Sequence, residues 1–237
     1  MGYQLSREQF DSFLARLQVE YRVFGPAVDV DGGALSDTDR ITYKEVRCFE
    51  DLELNRKSYF SPKEIFYPVR ETLFRFCEGE TTEPQIDEKK TAIFLRPCDI
   101  NGIDRLDAIF LKNGPLEDFY YKRRRDKVRF FMIECTTGFD NCFCVSMNAN
   151  RTDRWDVALR FGDEILVDVK SREFEPYFAG LAQKPFEARF IEKNSKEVRL
   201  PGVAAITVEL FQHELWKEYS ARCIGCGRCN TSCITCS

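Results

Sequence analysis

Thr91-Ala-Ile-Phe-Leu95-Arg96-Pro97-Cys98-Asp99 is the stretch whose reading decides the fold. Its first five residues are a short, continuous apolar run, the pattern of a strand buried on both faces. Arg96 to Asp99 then turn the chain, and Ile103, Leu106, Ile109 and Phe110 follow at helical spacing. Strand, tight turn and helix in that order is how open α/β sheets present ligand-binding residues at the carboxyl ends of strands. Val128-Arg-Phe-Phe-Met-Ile133 gives a second buried strand, which runs into Glu134-Cys135. An α/β body is expected, with a mixed α+β arrangement as the alternative.

The rest of the chain fits around this unit. Ser6-Arg-Glu-Gln9 is a capping box opening an amphipathic helix through Phe10, Phe13, Leu14, Leu17 and Tyr21. Val23 to Val30 reads as a strand interrupted by Gly25-Pro26, and Arg40 to Glu45 as another. Ser61-Pro62-Lys-Glu64 predicts a second helix running to about Cys77 and ended by Gly79, which would make Cys77 a core residue. Cys48 is also expected in the core. A helix over 115–127 ends in Lys122-Arg-Arg-Arg125, either a solvated face near a helix C-terminus or a docking patch for an acidic partner. Val157–Phe161 and Ile165–Val169 flank Gly162-Asp-Glu164 as a hairpin, and Phe174–Leu181 suggests a short helix. Val208, Leu210, Phe211, Leu215, Trp216 and Tyr219 predict one more amphipathic helix. A boundary near 200–205 divides a body, 1–203, from a tail, 204–237.

The tail carries the strongest motif. Cys223-Ile-Gly-Cys226-Gly-Arg-Cys229-Asn-Thr-Ser-Cys233 reads C-x2-C-x2-C-x3-C, the spacing that wraps a loop around an iron–sulfur cubane. Gly225 and Gly227 allow positive φ and a close approach of amide N–H groups to sulfur. The bacterial pattern continues with Pro, where this chain has Ile234, and in two-cluster ferredoxins the fourth cysteine serves the other cluster. Cys233 is therefore expected to belong to a neighbouring set, with Cys236 of unassigned role. The segment reads as the front half of a double-cluster module, apparently truncated, and as a mobile tail in this form. The competing reading is a zinc site, since C-x2-C pairs also build zinc ribbons. Arg222 and Arg228 would favour a reduced cluster, or are solvent-exposed charges.

A second group is quieter. Cys98 and Cys135 each follow a buried strand, and Cys142 and Cys144 lie within loop reach of the same place. Adjacent parallel strands would bring four thiolates together, the number a further [4Fe–4S] cluster needs. The competing reading is inert buried cysteine. Asp99 is a candidate hard ligand or a helix cap.

Composition narrows the function classes. The chain has 237 residues, a net charge of −4, 21 Phe, 11 Cys and one histidine, His213. An acidic balance argues against a nucleic-acid-binding face. No apolar run approaches the roughly 20 residues of a membrane span, and the N-terminus lacks a signal-peptide core. Eleven cysteines in such a chain point to metal or redox work in a reducing cytoplasm. One histidine removes most His-dependent catalysis, and no G-x-G-x-x-G or Walker A string is present.

Leu95-Arg-Pro-Cys-Asp-Ile-Asn-Gly-Ile103, Ile133-Glu-Cys135 and Asn141-Cys-Phe-Cys-Val-Ser-Met147 resemble the iron–sulfur subunit of anaerobic sulfite reductase. So do Ser36-Asp-Thr-Asp39, Glu71-Thr-Leu-Phe74 and Leu215-Trp216 ahead of Arg222-Cys-Ile-Gly-Cys-Gly-Arg-Cys229. The beta subunit of cytoplasmic sulfhydrogenases is a more distant likeness, with similar Arg-Pro-Cys-Asp and Cys-Phe-Cys patterns. The resemblance implies a non-catalytic electron-transfer protein. It would pass electrons from a flavin subunit that oxidises NADH to a sirohaem subunit that reduces sulfite to sulfide. It also implies two [4Fe–4S] clusters in the full-length protein, with Cys223, Cys226 and Cys229 on one and Cys233 on its partner. A second cysteine run would follow beyond position 237. The recurrence of Cys98, Cys135, Cys142 and Cys144 implies an additional redox site in the body.

Overall fold

The computed structural model describes residues 1–237 except Ser36 and Ile86, so the first residue of the Ser36–Asp39 string lies outside the described residues. The chain runs β1 (Gly2–Leu5), α1 (Arg7–Glu20), β2 (Tyr21–Asp29), β3 (Arg40–Glu45), β4 (Arg75–Cys77) and β5 (Glu80–Thr82). It continues through β6 (Lys90–Leu95), α2 (Pro97–Leu111), α3 (Phe119–Arg125), β7 (Val128–Ile133), β8 (Val157–Arg160), β9 (Ile165–Val169) and β10 (Ala182–Gln183). Two short helices close it, α4 (Glu214–Arg222) and α5 (Arg228–Ser232).

One eight-stranded sheet has the order β10-β1-β9-β8-β7-β6-β2-β3. Its centre is parallel: β2 pairs with β6, β6 with β7 and β7 with β8, in a register that sets Leu95 opposite Met132. The flanks are antiparallel, including the expected β8–β9 hairpin. Alternation along the central strands feeds two cores. Ala92, Phe94, Phe131 and Ile133 meet Phe10, Phe13, Leu14 and Leu17 of α1 on one face. Ile93, Leu95, Phe130 and Met132 meet Ile100, Ile103 and Leu106 of α2 and Tyr121 of α3 on the other. Helices on both faces of a largely parallel centre make this an α/β fold.

Several local expectations are corrected. β2 runs unbroken through Gly25-Pro26, because its pairing with β6 covers only Tyr21 to Phe24. Pro26 therefore lies beyond the part of β2 that pairs with β6, and its missing N–H costs no bond on that side. The helix expected over 61–77 shrinks to a single 3-10 turn, Pro62–Ile65. Pro68 lacks an amide donor and its ring opposes continuation, so the chain leaves helical geometry there. Cys77 consequently stands exposed in β4, not in the core, and Cys48 is half-buried. The 115–127 helix begins only at Phe119, where the Asp118 carboxylate accepts the Tyr121 N–H at 2.8 Å. The segment near Phe174 is a 3-10 turn, Glu175–Phe178. The last amphipathic helix is broken at His213, whose Nδ1 accepts the Leu215 N–H at 3.1 Å. The basic run is internally paired: Arg123 and Arg124 both reach Glu71 Oε1, at 2.7 and 2.6 Å, and Arg125 grips Asp107. No helix among the described residues is long and apolar enough to cross a membrane.

Candidate redox site at the carboxyl edge of the sheet

Because β6 and β7 are parallel neighbours, the residues that follow them emerge side by side. Pro97 takes the first turn of α2, Cys98 comes next, and Asp99 folds back to accept the Arg96 N–H at 3.2 Å. Asp99 thus acts as a helix cap from inside the first turn, and Tyr43 Oη donates to it at 3.4 Å. Burial raises its carboxyl pKa above the ordinary value. Cys135 follows β7 and is held by a parallel bridge to Phe190, with its carbonyl accepting the Ile191 N–H at 2.8 Å.

Cys142 and Cys144 return to the same place on the loop between β7 and β8. The Phe139 N–H donates to Cys142 Sγ at 3.2 Å. Asn194 Oδ1 accepts the Val145 N–H at 2.8 Å and lies 3.5 Å from Cys144 Sγ. The Cys98 and Cys135 thiols feel the sulfurs around them. Burial pushes the Cys98 thiol well up, followed by the Asp99 carboxylate and then Cys144, Cys135 and Cys142. Burial also raises Cys135, opposed by the charge and hydrogen bond of Arg96 and reinforced by Cys144 and Cys142. Among the described residues, no three His, Cys, Asp or Glu side chains gather closely enough to hold a single metal ion. The quartet shares one neighbourhood without converging on one point.

Two contributors carry no sequence signal strong enough to mark them. Arg96 stacks its guanidinium 4.7 Å from the Phe139 ring centroid and donates to Leu54 O at 2.8 Å, which places its charge beside Cys135. Its position between the strand and Pro97-Cys98 is the available clue. Asn194 comes from a weakly patterned stretch, 49 positions from Val145. Its Nδ2 is buried without a hydrogen-bond partner among the described residues.

The tail divides into an exposed stem and a docked end. Residues 201–230, including Cys223, Cys226 and Cys229, are exposed. Gly225 and Gly227 adopt φ of 68° and 70°, and the Gly225 N–H points to Cys223 Sγ at 3.4 Å. Arg222 is exposed and pairs with Glu218 on its own helix at 2.9 Å. Cys233 and Cys236 are half-buried, so the expectation of a free tail is corrected at its end. Ile234 packs against the α2 side of the core. Cys236 is raised by its hydrogen bond to Cys233 and by burial, and feels Cys229 as well. Burial raises Cys233, but hydrogen bonds from Thr235 and Cys236 outweigh it and leave this thiol lowered.

Comparison with curated proteins gives one decisive match. The chain is 30% identical over 249 residues to sulfhydrogenase 2 subunit beta of Pyrococcus furiosus, covering 98% of this chain and 71% of that protein. This chain belongs to the sulfhydrogenase beta-subunit family. The family shown is therefore the more distant of the two likenesses read from the motifs. The match does not extend to the iron–sulfur subunit of sulfite reductase. No protein-family model and no solved structure matches the chain.

Proposed function

We propose that this protein is an iron–sulfur electron-transfer subunit of a sulfhydrogenase-type oxidoreductase complex, working in the cytoplasm. The observation that carries the reading is that Cys98, Cys135, Cys142 and Cys144 share one neighbourhood at the carboxyl edge of a parallel sheet. Membership of a family of complex subunits supports it.

The residues fit an iron–sulfur cluster in the body. Burial and the neighbouring sulfurs make Cys98 and Cys135 unfavourable as free thiolates, and a cationic iron core would relieve that cost. The Phe139 N–H already donates to Cys142 sulfur, the type of contact that tunes cluster potential. Arg96 supplies a compensating charge beside Cys135. Asn194 Nδ2 is a buried donor still lacking an acceptor among the described residues, next to Cys144. A cluster would supply one-electron redox capacity there. The protein's own part is to bury the site, donate hydrogen bonds to sulfur and set the local charge. In the tail, residues 204–237 are proposed as a cluster-binding module, with Cys223, Cys226 and Cys229 serving one [4Fe–4S] cluster and Cys233 the next. Cys236 has no assigned partner in that scheme.

A second reading keeps the same electron-transfer role inside an anaerobic sulfite reductase, between a flavin subunit oxidising NADH and a sirohaem subunit. The motif likeness across Leu95–Ile103 and Asn141–Met147 favours it, and the curated relative favours the first reading. Anaerobic purification through a tag on this chain separates the two. Hydrogenase activity without sirohaem absorbance is the expected result, whereas a sirohaem band with sulfite reduction would transfer the assignment. A colourless protein holding zinc and no labile sulfide would remove both.

A further inference from the structure

We propose that Lys63 is a positioning residue for the tail cysteines, a buried cation of the body that holds the Asn230–Cys236 turn against α2. It thereby keeps the tail site beside the body quartet.

Lys63 is only 4% exposed, yet no carboxylate pairs with it among the described residues. Its ammonium donates instead to two main-chain carbonyls of the tail, Asn230 O at 2.7 Å and Cys236 O at 2.5 Å. Covering an ammonium without a counter-carboxylate is unfavourable unless its hydrogen bonds are satisfied. Here the tail both covers the charge and satisfies it. The Ser61 hydroxyl accepts the Lys63 N–H at 3.2 Å, so the turn that presents the side chain is itself capped.

The opposite wall of the seam is α2. A Cβ built on Gly102 would overlap Ile234 Cγ2, so a side chain there would collide with the residue that follows Cys233. Gly102 stands four residues after Cys98, on the same helical face and about 6 Å further along the axis. A third contact comes from Arg228, whose guanidinium lies 5.2 Å from the Tyr59 ring centroid and 5.7 Å from that of Phe60. Segment 59–63 and one turn of α2 thus grip the tail at Arg228, Asn230, Ile234 and Cys236. These contacts stand on geometry alone.

The redox consequence rests on the proposed function. The Lys63 ammonium sits on the Cys236 carbonyl, three residues past Cys233, and a positive charge there favours the more negative, reduced state of a cluster held by Cys233.

Backbone amide hydrogen exchange tests the docking in metal-free and iron-loaded protein alike. Lys63→Met is expected to accelerate exchange across 228–236 at least roughly tenfold while β6 and β7 amides keep their protection. Gly102→Val carries the same expectation from the other wall without touching a charge, and so remains decisive if the Lys63 variant fails to fold. Unchanged exchange at 228–236 beside native body amides overturns the proposal. In loaded protein, redox titration of Lys63→Met should lower the midpoint potential of the tail centre and leave a body centre in place. An unmoved tail potential refutes the charge role. A tail that binds no iron but keeps its protected amides would sink the cluster reading and leave the docking standing. An iron-loaded tail with unprotected amides would do the reverse.

Discussion

Glu173 shows at the scale of one side chain how the parallel centre is stitched together. Its carboxylate accepts from Tyr21 Oη at 2.5 Å, from Arg129 Nε at 2.7 Å and from the Lys90 ammonium. Tyr21, Lys90 and Arg129 stand at the starts of β2, β6 and β7, so one residue ties three strands at their amino ends. Burial alone would raise its pKa, but the three hydrogen bonds win and hold it at about 2, below an ordinary value of 4.5. A depressed carboxyl contributes stability that is fully present above the ordinary value and is lost as pH falls through the folded one. Glu173→Gln is therefore expected to cost roughly 2 kcal/mol at pH 7. That difference from the parent should shrink between about pH 4.5 and pH 2 in denaturant titrations. A difference independent of pH would contradict the ion-pair account. At the other end of the strands the informative residue is Cys142. Cys142→Ser should lower iron per chain by about one cluster's content, and unchanged iron would return the quartet to ordinary core cysteine.

Among the elements, β6 is the pivot of both the fold and the site. Phe94 points into the α1 face, with its ring 5.5 Å from Phe131 and 6.2 Å from Phe10. Truncating it leaves a cavity between two layers, so Phe94→Ala should cost about 3–5 kcal/mol in urea unfolding. A loss under about 1 kcal/mol would mean that α1 is not clamped on the sheet as described. The β6–turn–α2 unit is legible in the sequence because its apolar run, Pro97 and helical spacing are local signals that agree. The Ser6 capping box is legible for the same reason, and both of its reciprocal bonds form. Ser61-Pro62 does start a helical turn, but Pro68 outweighs the apolar spacing that follows it. Lys63, Arg96 and Asn194 are illegible as site residues, because what makes them matter lies on distant segments. Lys63 finds its acceptors 167 and 173 positions away. That Cys98 and Cys135 come to the same edge of the sheet follows from the strand order, which sets β6 and β7 as parallel neighbours.

On the scale of the whole molecule, the sheet separates two tasks. Its amino edge is tied by ion pairs around Glu173, and its carboxyl edge collects cysteine sulfur and leads, through α2, to the docked end of the tail. On the proposed function, that layout would give an electron two stations on one side of one protein, and the exposed stem of the tail leaves Cys223, Cys226 and Cys229 open to solvent. The body quartet is proposed to hold a cluster of its own. The decisive measurement is iron and labile-sulfide analysis, with EPR on reduction, of an anaerobically prepared variant in which Cys223, Cys226, Cys229, Cys233 and Cys236 are all serine. About four iron and four sulfide per chain, with a reduced-cluster EPR signal, are expected from that variant. A folded variant with neither iron nor sulfide would rule out that cluster.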